Sequence, residues 1–524
     1  MSRINPAPGR ASALGQKNLS TIHAVAQSLA IGPMFSTALI LGLVSNSTTG
    51  AGWNATLSVL LAGLGALAIG YVVALYARRF AGAGAVYEYL THRAHPWVGI
   101  LTAGVFFLGT LFLGGGGIYL GLGNLAERFW VAHIDAGSSP SWWVWGLIAL
   151  VIVLALNYIG VRVAVGAMLT FAAVSFVPML ILAIVIVSKG GADGISLSVF
   201  NPSETGLFDL TGGGVLGGVL LGILLFVGFE AAASIGEESH DPRRSIPRAV
   251  LFTIAAAAAF YVVMAFAFSM GYGKAAVEKS VWAGDLTAVN AMATEYIGSR
   301  FATILDLVVI LDAMALALAI CVTVGRGFFA LGRDGLLPKA FTKTSRYGTP
   351  WVGNLVVAFG ALGLMLVSWL VDYGSRLFSA PDEAGILVPQ LPDGFATFVL
   401  AATIGALAVQ LVYLILALAA FGLVRQAGNK PWQYAVVTIA VLTPVLGYLG
   451  ALKPEPHDRS NVNWEALYWT IGVVAVAVVW FVVLLVTRPR NVAAAAAHAA
   501  EHRGVPPLDE ALDFTPLPED ELPL

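Results

Sequence analysis

The feature that most restricts this chain is a series of unbroken apolar runs, each close to the length a helix needs to cross a bilayer. About 30 Å of hydrocarbon takes roughly 20 helical residues, and runs of that size recur between polar breaks. Twelve can be drawn, near residues 22–45, 53–77, 97–122, 142–160, 164–188, 214–235, 249–271, 301–324, 351–372, 394–421, 432–451 and 464–487. Leu147 to Leu156 and Val473 to Val486 are continuous rather than alternating, which fits helices and excludes the short alternating segments of a barrel. Composition excludes a soluble chain of this length, because 58% hydrophobic against 11% charged residues leave too little polar surface. The expected class is an all-α polytopic membrane protein.

A net charge of -2 offers no basic surface for nucleic acid, so the expected partners are the lipid bilayer and a small solute. The single cysteine, Cys321, can form no intrachain disulfide. The eight histidines lack metal-ligand spacing and no phosphate-binding loop is present, so no metal or other cofactor is expected. The spans hold no clustered nucleophile and base, which argues against an enzyme. Assigning alternate loops to opposite faces puts twenty of the 28 lysines and arginines on one side, including Arg3, Arg10, Lys17, Arg78, Arg79, Arg243, Arg244, Arg248 and Arg503. Positive loops stay cytoplasmic, so both termini are expected inside a cell membrane. Residues 491–524, rich in alanine and acids, read as a solvated, disordered tail.

Two spans break the rules of a spanning helix. In the first, Gly32-Pro33 sits near the middle, where proline removes a backbone donor and biases its predecessor away from helix. In the sixth, Gly228-Phe-Glu230 places an acid beside a glycine. If spans one to five and six to ten repeat, these breaks correspond, and paired breaks expose backbone N–H and C=O groups to a solute. Kinks alone are the plainer alternative. Three acids lie inside spans: Glu230, Asp306 and Asp312. Each costs about 2.5–3.5 kcal/mol at a helix centre and so usually faces a cavity or partner. Asp312, about 16 Å into span eight, is the midplane candidate, and Thr323, eleven residues on, returns to its face to line an ion path. Gly114 to Gly117 in span three either enlarge a cavity or permit close packing, with packing preferred. Arg243, Arg244 and Arg248 are read as positive-inside residues, a gate bridge to Glu237 or Glu238 being the sharper alternative.

Several stretches resemble the amino acid-polyamine-organocation transporters, most closely bacterial amino-acid permeases. They are Ala77 to Leu90, Asn157 to Arg162, Gly228 to Ala249, and Gly325 to Pro338 followed by Gly348-Thr-Pro350, in order over roughly residues 20 to 425. The resemblance implies a leucine-transporter-like five-plus-five inverted repeat over residues 21–425, a cytoplasmic segment 1–20 before it and two further helices over 426–490. It implies a secondary carrier of an amino acid or related amine that works by alternating access. Carried over by position, Ile31, Gly32, Met34 and Phe35 would border the solute, the N–H groups of the last three facing a carboxylate. Carbonyls near Phe226, Val227 and Gly228 would receive an amino group, with Glu230 and Asp312 as further contacts. Pro33 departs from the family's usual Gly-Ser-Gly and offers no amide. Ser175 stands where sodium-independent relatives often carry a lysine, so Ser175 and Thr323 are the coupling-ion candidates. Proton coupling, sodium coupling and exchange all stay open, as do amino acid against polyamine or organocation. A channel or transporter-like sensor is the alternative from another class.

Overall fold

The computed structural model describes residues 14, 19–29, 31–47, 50–80, 82–207, 214–284, 287–381, 387–389, 391–426, 430–452, 459 and 461–502. Arg3, Arg10, Lys17 and Arg503, used in the orientation argument, lie outside them, as do residues 503–524 of the expected tail.

Apolar runs become helices because a helix satisfies its own backbone polar groups where water cannot. In chain order these are the interrupted pair α1 (Thr21–Ser28) and α2 (Pro33–Leu39), α3 (Ala55–Ala77), α4 (Pro96–Thr110) and α5 (Gly117–His133), α6 (Trp142–Ile159) and α7 (Val161–Ser188). They continue as α8 (Val219–Leu224), α9 (Pro242–Tyr272), α10 (Ser299–Arg333), α11 (Trp351–Leu370), α12 (Asp393–Gln426), α13 (Pro431–Leu452), α14 (Val462–Thr487) and α15 (Pro489–His502). Among the described residues, eleven spans are long and apolar enough to cross a membrane, counting α1 with α2 and α4 with α5 as one each. The twelfth expected run, 214–235, fails that length test because it is broken: α8 stops, Gly228 turns, and a 3₁₀ stretch, Phe229–Glu238, follows. Helix α15 occupies the start of the expected tail. A small antiparallel pair, β1 (Ser379–Pro381) and β2 (Leu387–Pro389), lies between α11 and α12.

Burial separates the inner helices from the outer ones. The most apolar window of α10 is 78% buried and that of α14 only 22%, which puts α10 at the centre and α14 at the lipid face. Helix α3 packs along α9, α10 packs along α7 and reaches α2, and α12 is flanked by α13 and α14. Exposed Val177, Ile184, Val479 and Val486 on α7 and α14 suit contact with hydrocarbon. Between α4 and α5 the glycine-rich stretch Leu111–Gly116 forms a π-helical turn. A Cβ on Gly116 would meet the Gly360 backbone of α11 at 2.9 Å, so this glycine serves close packing.

Candidate functional site

The helix-one break is a turn that only glycine takes easily: Gly32 has φ +57° and ψ +65°, and Pro33 opens α2 at the position where a missing N–H costs least. Three of the backbone donors here have partners within the chain, those of Gly32, Met34 and Phe35. Gly32 N–H donates to Leu29 O at 3.3 Å, and the Met34 and Phe35 N–H groups donate to Asp312 Oδ2 at 2.9 and 3.0 Å. The Asp312 side chain reaches them from α10 and is fully buried. The N–H groups assigned by resemblance to a solute carboxylate therefore already hold a carboxyl group of the chain itself.

At the helix-six break, Gly228 has φ +117°. Its N–H donates to Glu230 Oε2 at 3.1 Å, and the same oxygen accepts the Tyr413 hydroxyl of α12 at 2.6 Å. The two breaks touch, because Ser28 Oγ at the end of α1 donates to Phe229 O at 2.7 Å. A cavity of about 20 Å³ lies between them, lined by Ile31, Phe35, Gly114, Val227, Leu316 and Phe398 among others. That is room for about one water, so a larger solute requires the walls to move. Phe226 is packed edge-on against the Tyr261 ring, 5.3 Å between centroids. Gly114 serves both of its expected roles, since it lines the cavity and a Cβ there would overlap Ile320.

The coupling candidates sit in separate hydrogen-bonded contacts. Ser175 Oγ donates to Phe171 O at 2.6 Å and to Val308 O of α10 at 3.1 Å. Thr323 Oγ1 donates to Ala319 O at 3.0 Å, and Gln27 Nε2 of α1 donates to both Ala319 O and Thr323 Oγ1. Sequence reasoning missed Gln27, whose signal was an amide side chain inside the first apolar run. Asp306 is 25% exposed and bonded to His133 and Asn290, away from Asp312, as their 240° separation on one helix requires.

A second polar cluster lies where the positive loops gather. Glu238 pairs with Arg326, both almost fully buried, and Glu237 pairs with Arg333, which also reaches Glu88 at 3.4 Å. These acids thus meet arginines of α10. Arg244 lies 3.7 Å from Asp241 at the surface. Helix α10 runs past the span into this cluster, and the spacing of Arg326 and Arg333 aims both there. Tyr87 donates to Asp334 at 2.7 Å, and Leu19 pairs by backbone with Glu238 and His240. Burial pushes the Glu88 carboxyl up to about 7; Arg333 opposes the rise, while Glu237 and Asp334 add to it. Among the described residues no three His, Cys, Asp or Glu side chains gather to hold a metal.

A family profile described as amino acid permease matches residues 20–491. The chain is 28% identical over 276 residues to the lysine-specific permease LysP of Lactococcus lactis, covering 50% of this chain and 53% of that protein. It is 27% identical over 286 residues to the probable threonine/serine transporter YbxG of Bacillus subtilis, covering 52% and 57%. The polyamine transporter RMV1 of Arabidopsis thaliana shares 27% identity over 150 residues, 27% of each chain. The chain thus spans about half the length of LysP and YbxG and less of RMV1. In three dimensions it is similar to MhsT, whose structure is a complex with L-phenylalanine, at TM-score 0.56 and 15% identity over 85% of this chain and all of that one.

Proposed function

Since this chain belongs to the amino acid permease family, we propose that it is a secondary carrier that moves an amino acid or a related small amine across the cell membrane by alternating access. The solute binds between the breaks at Gly32 and Gly228, bordered by Ile31, Met34, Phe35, Phe226, Val227, Glu230 and Asp312. The observation that carries this reading is that one cavity is lined from both interrupted helices, by Ile31 and Phe35 on one side and Val227 on the other. Interrupted helices offer backbone groups to a solute at membrane depth, where regular helices cannot. The occupants of the similar proteins, lysine, threonine or serine and polyamines by their names, share an amino group, which Glu230 or a free carbonyl at the helix-six break can receive. Positive loops put both termini in the cytoplasm, and the cluster of Glu88, Glu237, Glu238, Arg326 and Arg333 then closes the cytoplasmic end. Ser175 and Thr323 stay the candidates for a coupling proton or sodium ion.

Purified protein in liposomes tests this directly. Saturable uptake and counterflow of an amino acid or amine are expected. A linear, unsaturable flux with channel conductance would replace the carrier with the channel alternative.

A further inference from the structure

The carboxyl group of Asp312 occupies the place where an amino acid would seat its own. Its Oδ2 takes two N–H groups of the helix-one break, those of Met34 and Phe35, while Pro33 has none and that of Gly32 is bonded to Leu29 O. An incoming carboxylate would have to displace this oxygen, and would meet the Asp312 and Glu230 carboxyl groups with no lysine or arginine bonded to either among the described residues. The other oxygen, Asp312 Oδ1, is buried and has no hydrogen-bond partner, and the nearby Tyr261 hydroxyl lies beside Ser36. A buried carboxylate with one oxygen held by backbone and the other unmet is costly unless it takes up a proton or a cation arrives to meet it.

We propose that Asp312 is a resident substitute for a substrate carboxylate, so that the solute is a small protonated amine without an α-carboxylate, its ammonium group received by Asp312 Oδ1. The inference rests on the two-break site described above. Asp312 then does two jobs with two oxygens: Oδ2 fixes α2 against α10, and Oδ1 supplies the charge that selects the solute. An α-amino acid loses twice, since its carboxylate finds the Met34 and Phe35 donors engaged and sits beside an acid.

The test uses the full-length chain in liposomes and compares each amino acid with the amine left after removal of its carboxylate, ornithine against putrescine and phenylalanine against phenethylamine. For at least one pair the amine is expected to be taken up, and to compete, at a concentration at least tenfold lower than its amino acid. Asp312→Asn is the discriminating variant. Its carbonyl can still accept from Met34 and Phe35, while its NH₂ replaces the oxygen that would receive the ammonium. Thermal melting close to wild type with at least a tenfold loss of amine uptake supports the proposal. Amine uptake unchanged in a folded Asp312→Asn protein overturns it. Amino acids taken up as well as or better than their amines overturn it too, while leaving the carrier and its site standing. Saturable uptake of neither class overturns the proposal and the carrier reading together. The wild-type comparison decides the matter even where the variant fails to fold.

Discussion

The two helix breaks use the same device with different suppliers. Each turns at a left-handed glycine and each has its freed N–H groups answered by a carboxyl group. At helix six the carboxyl is local: Glu230 stands two residues beyond the amide it accepts, and Tyr413 steadies it. At helix one it comes from 278 residues away, on α10. A local cap travels with its own helix, whereas a foreign cap makes the position of α2 depend on α10. The helix-one break thus cannot part from α10 without losing its cap, whereas the helix-six break can turn away from α12 and α1 while keeping the bond between Gly228 and Glu230.

Removing the foreign cap should break this contrast most severely. Asp312→Ala strands two buried N–H groups at roughly 1–3 kcal/mol each, a combined loss of about 2–6 kcal/mol read as a lower melting temperature in detergent. Asp312→Asn should recover most of it, and equal melting of the Ala and Asn variants would show that the foreign cap holds nothing. Gly32→Ala comes next, at about 1–3 kcal/mol, because the left-handed turn strains any other residue and the added Cβ would lie 3.1 Å from Leu316. Unimpaired melting and uptake in that variant would mean that the break relaxes without glycine. Tyr413→Phe should cost less, about 1–2 kcal/mol, since Glu230 keeps its bond from Gly228. A loss as large as that of Asp312→Ala would erase the distinction between local and foreign caps.

A control lies outside both breaks. Glu88 is held protonated more strongly in the folded chain, up to about 7 from an ordinary 4.5, chiefly by burial. The folded state therefore binds the extra proton across that window, and its contribution to stability is complete below pH about 4.5 and lost as pH rises to about 7. Glu88→Gln should flatten this part of a melting-temperature profile. An unchanged slope would assign it to another group.

Which parts were legible follows from how far apart the cooperating residues stand. Both breaks were readable because glycine, proline and an embedded acid act within a few residues of one another. Asp312 could be singled out as a midplane acid, since charge in hydrocarbon is conspicuous and a 1.5 Å rise gives its depth. Its partner could not. Nothing near Asp312 in the chain indicates that Met34 and Phe35 lie against it. Gln27 escaped for the same reason, because an amide in an apolar run stands out only once Ala319 and Thr323 are seen beside it. Glu237 and Glu238 lie close in sequence to Arg243, Arg244 and Arg248, yet they pair with Arg326 and Arg333. A long central helix brings charges distant in sequence together.

The sequence by itself determined that this chain is a bundle of membrane helices with two of them interrupted. Lipid leaves backbone groups no partner but their own helix, and glycine and proline mark where that rule is suspended. Only the tertiary structure decided what fills the interruptions. The N–H groups freed at Met34 and Phe35 would suit any carboxylate, and it is the packing of α10 on α2 that gives them Asp312.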